Sequence, residues 1–346
     1  MKARSPEIVS SGGGSFTRRG VIAASGLVLG AAAIGFRSAF AQQPAANVGP
    51  DRIVLLGTRG GPFIGGYTPS PSANLLVYNG VPYVIDTGYG VTFKLVDAGL
   101  PLPALRYVFI THHHSDHNLE LGPLLYNAWA AGLRTPVDVY APAGLNALLA
   151  AYWESNRYDI ETRIADEGRP DPRKLVTAHE FTEGPILSHD DVRVTALHVI
   201  HPPVAESYAF KFELGSKTVV FSGDTAFFPP LAEFAKGADY LIHEVLYAPA
   251  LDALVKRRPN AEKLKASIMS HHTQAEDVGR IAAMANVKTL VLNHFVPPDG
   301  KSLTPDVWAD AVGKTFGGNI VGEGPAPASF VKLGAEKANH GFERPF

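Results

Sequence analysis

The sequence predicts an α/β layered sandwich, two sheets face to face with helices outside. Three observations carry this expectation. Near the front, two short apolar runs flank Asn79-Gly80, the strongest short hairpin signal there is. Behind the hairpin, β-strand patterns are interleaved with segments of helical periodicity. Candidate active-site groups follow strand ends, and layered α/β proteins gather such groups at one edge of a sheet.

Taken in order, the first strand is Arg52-Ile53-Val54-Leu55-Leu56, and Gly57-Thr58-Arg59-Gly60-Gly61-Pro62 follows as a turn. Leu75–Tyr78 and Val81–Ile85 make the hairpin, and Asp86-Thr87-Gly88 closes its second strand. Further strands are expected at Tyr107–Ile110, Val137–Tyr140, Val192–Leu197, Tyr208–Leu214, Thr218–Ser222, Tyr240–Ile242 and Thr289–Leu292. Helical patterns cover Leu119–Leu133, Gly144–Trp153 and Ala275–Ala285. Before the last of these, Thr273 and Glu276 are spaced as a capping box. The charged stretch Glu154–Leu175, with Gly168, Pro170 and Pro172, reads as an inserted loop or a helical cap near the site. No internal repeat is present.

Residues 1–41 read as an export signal rather than fold. Ser15-Phe16-Thr17-Arg18-Arg19 precedes a chargeless apolar run from Gly20 to Phe36, and Ala39-Phe40-Ala41 offers a small-x-small cleavage pattern. The paired arginines mark a twin-arginine signal, and the run is short for a spanning helix, which needs ~20 residues. The expected product is a periplasmic or secreted domain, residues 42–346, with no membrane anchor after processing. The full chain has a formal net charge of −2. Cleavage after Ala41 removes Lys2, Arg4, Arg18, Arg19 and Arg37 against Glu7 alone, so the mature chain is more acidic still. Nucleic-acid binders draw most of their affinity from basic faces, so none is expected as a partner. A small-molecule ester is, and both a lone chain and a homodimer are compatible with the sequence.

Cysteine is absent, which excludes disulfides, thiolate metal sites and cysteine nucleophiles. A transition metal must therefore be held by nitrogen and oxygen, and the chain has 13 histidines to offer. The decisive stretch is Thr111-His112-His113-His114-Ser115-Asp116-His117, directly after a strand. In an extended segment alternate residues point the same way, so His112 and His114 can converge on one cation while His113 faces away. Asp116 and His117 lie where the chain turns into a helix and can address a second cation. His201, Asp224 and His294 also stand at strand ends. His179, His189, His198 and His340 read as surface or packed histidines, and His243 as a neighbour of the site rather than a ligand.

This set resembles the His-x-His-x-Asp-His motif, with its later His, Asp and His, of the metallo-β-lactamase superfamily. Within it, the chain is similar to the branch of tRNase Z, related phosphodiesterases and arylsulfatase-like proteins. Leu56-Gly57-Thr58 with Gly60-Gly61-Pro62, the spacing of His201 to Tyr208, Leu241-Ile242-His243-Glu244, His271-His272-Thr273 and Leu292-Asn293-His294-Phe295 carry the closer likeness. The resemblance implies a four-layer αββα sandwich and two zinc ions per chain. One ion would sit on His112, His114 and His201, the other on Asp116, His117 and His294, with Asp224 bridging. It also implies that His271 protonates the leaving group and that Glu244 orients it. The chain departs from the branch at Val245-Leu246, where Ala-Thr is usual, at His272 in place of serine, and at Glu120 in place of glycine. It also lacks a Gly/Pro-rich arm of the kind that grips tRNA.

The expected chemistry is hydrolysis of a phosphodiester or sulfate ester by metal-bound hydroxide, with Asp116 among the catalytic groups. The same site could serve a lactonase or another carboxylic ester or amide hydrolase, as in β-lactamases. A non-hydrolytic metal-binding protein is the reading from another class.

Overall fold

Successive apolar side chains leave each strand in opposite directions, and here both directions are buried. In β1 (Arg52–Gly57), Ile53 and Leu55 enter one core while Val54 and Leu56 enter another. Two stacked sheets with helices behind each satisfy that pattern, and the computed structural model has this form. It describes residues 48–63, 69–256, 260–298, 302–322 and 329–333; residues 1–41, where an export signal is expected, and His340 lie outside them. Among the described residues no helix is long and apolar enough to cross a membrane.

The first sheet has the order β14 (Ser329–Lys332), β1, β2 (Ala73–Tyr78), β3 (Val81–Ile85), β4 (Tyr107–Phe109), β5 (Val137–Ala141), β6 (Val176–Glu180). The second has the order β13 (Asn319–Val321), β12 (Thr289–Val296), β11 (Tyr240–Leu246), β10 (Lys217–Phe221), β9 (Tyr208–Leu214), β8 (Val192–His198), β7 (Gly184–His189). Strands β3 to β6 are parallel, as are β10 to β13, and the rest pair antiparallel. Parallel strands end at a common edge, which brings the loops after β3, β4, β10 and β12 together. The hairpin turn has Asn79 at φ 49° and Gly80 at φ 73°, the two left-handed residues that a tight two-residue turn requires.

Between the sheets the core is aromatic. Phe109 meets Phe212 edge to face with ring centroids 5.2 Å apart, and Tyr83, Phe210 and Phe221 fill the same layer. Behind the first sheet pack α1 (Val91–Asp97), α3 (Leu121–Ala130), α4 (Leu145–Ser155) and α5 (Arg157–Glu167). Behind the second pack α6 (Pro230–Phe234), α9 (Ala275–Ala285) and α10 (Pro305–Gly313). Two short helices, α2 (Ser115–Asn118) and α7 (Leu251–Val255), and a longer one, α8 (Ala261–His271), lie along the connections. Helix α9 buries Ala275, Val278, Ile281, Ala282 and Ala285, a helical stripe, and stops at Asn286 in the left-handed region. Its Gly279 is dictated by α10: a Cβ there would lie 2.4 Å from Val312 O.

Several expectations need correction. The helix expected over Leu119–Leu133 is present but shorter, as α3, and a separate short helix, α2, precedes it across a break at Leu119-Glu120. The break frees Glu120, whose buried carboxylate accepts from Gly90 N and, at 3.0 Å, from Thr92 N, closing the start of α1. Glu154–Leu175 is largely α5. Its Ile160 sits in the outer core, Tyr126 of α3 donates to Asp159, and Arg169 Nη1 donates to Trp129 O at 3.1 Å. The segment therefore belongs to the helical layer. The capping box does not form: Thr273 Oγ1 donates to Thr225 O at 2.7 Å, Glu276 pairs with Lys314, and α9 begins at Ala275. Strand β11 runs four residues past Ile242, because its polar His243 and Glu244 are fully buried beside the site.

Candidate metal centre

Thr111, two residues past the end of β4, is fixed by Asp86: its N donates to Asp86 Oδ1 at 2.8 Å. The following residues alternate as extended chain demands. His113 turns away, accepting from Asn118 Nδ2 at 3.1 Å and donating from Nε2 to Pro142 O at 3.1 Å. His112 and His114 face inward, with His112 Nε2 and His114 Nδ1 3.1 Å apart. His201, after β8, completes a triangle, its Nε2 3.1 Å from His114 Nδ1. Asp224 Oδ2 stands 4.0 Å from His112 Nε2 and 3.9 Å from His201 Nε2.

A second group shares that oxygen. Asp224 Oδ2 is 3.1 Å from His294 Nε2 and 3.3 Å from His117 Nε2. Asp116 Oδ2 is 3.3 Å from His294 Nε2 and 3.6 Å from His117 Nε2. Donors on a tetrahedron at 2.0–2.1 Å from zinc are about 3.3 Å from one another. His117 Nε2 is buried and makes no hydrogen bond in this group despite these distances, as an atom does when its lone pair is aimed at a cation. The residues thus fit divalent metal, and all seven sequence-predicted ligands are brought together. His112, His114 and His201 form one group able to hold an ion, and Asp116, His117 and His294 another.

The field favours a cation. Burial alone would lower the His117 pKa, but Asp224, Asp86 and Asp116 reverse this and hold it well above its ordinary value. Burial pushes the Asp116 carboxyl up, yet His117 and His294 outweigh it and keep the group ionised. His112, by contrast, is driven well below its usual range, first by burial and then by the charge of His117.

Local structure explains the aim of each ligand. His117 Nδ1 is held by Asp86 Oδ2 at 2.7 Å, and His201 Nδ1 donates to His271 O at 2.9 Å. Gly61 N donates to Asp116 Oδ2 at 2.9 Å, so the turn after β1 orients a ligand. Gly88 must be glycine because a Cβ would lie 2.4 Å from Asp116 O. His294 adopts φ 43° at a bulge between β11 and β12, where Glu244 faces Asn293 and Val245 faces Phe295. A bulge with left-handed backbone re-aims one side chain, here toward the other sheet.

Glu244 is placed differently from the expectation. Its Oε2 meets His272 Nδ1 at 2.9 Å, while its Oε1 accepts from Thr225 N at 2.9 Å and Thr273 N at 3.2 Å. The resemblance had paired it with His271. That residue is the last of α8, and its backbone carbonyl serves His201. His272 leaves the helix in an extended conformation, φ −125° and ψ 150°, which swings its ring onto Glu244. Burial and the Asp224 charge push Glu244 up to about 8, and burial drives His272 down to about 4. His243 Nδ1 donates to Glu244 O at 2.7 Å, beside the site. Asp86 and His272 are the site residues that sequence reasoning missed. Asp86, a carboxylate immediately after a strand in Asp-Thr-Gly, was the available signal.

Known proteins resemble this chain in sequence and fold. The family model described as the metallo-β-lactamase superfamily matches residues 66–271. A Ribonuclease Z of Mycobacterium marinum is 31% identical over 273 residues, covering 78% of this chain and 94% of the relative. Among solved structures, the metallo-β-lactamase fold protein YhfI of Bacillus subtilis aligns with a TM-score of 0.59 at 22% identity, covering 82% of this chain and 100% of its own. The short form of human tRNase Z aligns with a TM-score of 0.54 at 21% identity, covering 70% and 92%.

Proposed function

The chain belongs to the metallo-β-lactamase superfamily and is a metal-dependent hydrolase; we propose that it cleaves a phosphodiester or sulfate ester of a small molecule at a bridged pair of zinc ions, after export. The observation that carries this reading is Asp224 Oδ2, which stands between the two donor groups and within 3.3 Å of both His117 and His294. His112, His114 and His201 would hold one ion, Asp116, His117 and His294 the other, with Asp224 common to both. Imidazole and carboxylate donors without thiolate suit zinc. When bound, two such ions supply an activated water at neutral pH and positive charge against the oxygen charge that grows during hydrolysis.

The chain's own residues do the rest. Asp86, Gly61 N and His271 O lock His117, Asp116 and His201 in place. Glu244, kept protonated by its burial, faces Nδ1 of His272; as the ester bond breaks, Nε2 gives its proton to the departing oxygen while Nδ1 takes one from Glu244. The contact with Glu244 favours His272 as the acid, where the resemblance implies His271.

The substrate class follows from charge. Segments 86–90, 112–120, 200–207, 223–228, 271–276 and 293–298 contain no lysine or arginine, and in 57–63 Arg59 is buried. A polynucleotide backbone needs cations along its path, so a small ester suits this mouth better. The mature protein, tested on bis-p-nitrophenyl phosphate, p-nitrophenyl sulfate, a lactone and a β-lactam, is expected to turn over one of the first two fastest. Fastest turnover of the lactone or β-lactam would transfer the proposal to carbonyl chemistry, and no turnover in protein loaded with metal would count against a hydrolase of small esters.

Export rests on Arg18-Arg19 before the apolar run to Phe36. Changing both arginines to lysine is expected to abolish the periplasmic chain that begins near Gln42; an unchanged yield means a different route.

A further inference from the structure

A histidine that binds metal through one ring nitrogen is oriented by what its other nitrogen bonds. His112 Nδ1 has Thr111 Oγ1 at 3.0 Å, His117 Nδ1 has Asp86 Oδ2 at 2.7 Å, and His201 Nδ1 has His271 O at 2.9 Å. His114 is only half-buried. His294 differs: its Nδ1 is buried and has no hydrogen-bond partner among the described residues. The adjacent Asn293 carries a second buried atom in the same condition, Oδ1. Its Nδ2 is occupied, donating to Asn74 Oδ1 at 2.9 Å, a contact between the two sheets.

Both residues line one cavity, together with Asn74, Asp86, His117 and Asp224, with about 20 Å³ of room for water. One water needs ~10–15 Å³ and two to four polar partners. The bulge that turns His294 toward the ligand oxygens takes it out of the regular ladder: Glu244 and Val245 of β11 stand opposite Asn293 and Phe295, and His294 is left between them.

We propose that this cavity is a site for one ordered water, which accepts from His294 Nδ1 and donates to Asn293 Oδ1, and that Asn293 with Asn74 is thereby the positioning pair for His294. The proposal rests on the reading of His294 as a metal ligand. A proton held on Nδ1 keeps the Nε2 lone pair free on the side of Asp116 and Asp224. The water takes the part that Asp86 plays for His117 and a backbone carbonyl plays for His201.

Two variants test it on the mature protein. Asn293→Leu removes the acceptor and the link to Asn74 at similar volume; Asn293→Asp keeps an oxygen there. Zinc affinity at each of the two positions, read by competition with a chromogenic chelator, is expected to fall ~10–100-fold at one position only in the leucine variant. The aspartate variant is expected to stay close to wild type. Unchanged affinities, or equal weakening at both positions, in the leucine variant overturn the proposal. If that variant does not fold, a high-resolution crystal structure of the wild type decides. A water about 2.7–3.2 Å from both atoms is expected, and a dry cavity overturns it. A wild type holding a single zinc strikes at the two-metal reading alone, and the water then stands or falls on that structure.

Discussion

Asp224→Ala is expected to leave the mature protein with well under one bound ion in place of about two. Activity should fall by far more than the ~10–100-fold that losing an outer partner of a ligand costs. One atom, Asp224 Oδ2, lies 3.1 and 3.3 Å from the nitrogens of His294 and His117 and 3.9 and 4.0 Å from those of His201 and His112. Its removal takes a donor from both groups at once and deletes a negative charge from a buried cluster of imidazoles. His201→Ala removes a donor from one group only, so that variant should keep about one ion. Elemental analysis of dialysed protein, with circular dichroism to establish folding, reads both outcomes. A folded Asp224→Ala protein that retains two ions would dismiss the shared role.

The second large effect is expected at His272. Its alanine variant should keep both ions and lose ~10²–10⁴ in kcat/KM on esters with poor leaving groups, the usual worth of a positioned acid. The loss should shrink for p-nitrophenolate, which departs without a proton. Glu244→Gln should follow the same trend more mildly, since it changes only what His272 Nδ1 meets at 2.9 Å. His271→Ala separates the two histidines. Its ring touches His201 and His272, with centroids 4.9 and 4.7 Å away, but Glu244 does not hold it. It should therefore show a small loss with no dependence on leaving group. The measurement is kcat/KM against leaving-group pKa for wild type and the three variants. Parallel lines for wild type and His272→Ala would remove that residue from the acid role. A steep line for His271→Ala would return the role to the earlier assignment.

Much of this was legible in the sequence because the signals were local. Asn79-Gly80 announces its turn through two left-handed residues, and the alternation of His112, His113 and His114 needs nothing beyond extended geometry. The stripe of Ala275–Ala285 predicted a helix with the observed bounds. What failed depends on groups distant along the chain. Glu120 delays the start of α3 in order to reach Gly90 and Thr92, some thirty residues earlier. Thr273 forsakes its own helix for Thr225, and Glu244 chooses between two adjacent histidines according to where α8 ends. Strands β6 and β7 passed unnoticed because both are half-exposed throughout and lack an apolar face. Asp86 reads as a turn residue until Thr111 and His117 arrive on it.

The donors come from both halves of the sandwich. His112, His114, Asp116 and His117 follow a strand of the first sheet, whereas His201 and Asp224 follow strands of the second and His294 lies within one, at its bulge. Neither ion could find a full set on one half alone, so each would act as a rivet driven through the seam. Loading must then wait until the halves have docked, and once loaded they cannot part without shedding their cargo. At a free ion concentration a hundred times its dissociation constant, each rivet adds about 2.7 kcal/mol against unfolding. The protein's endurance would then be set as much by the free metal around it as by the residues within it.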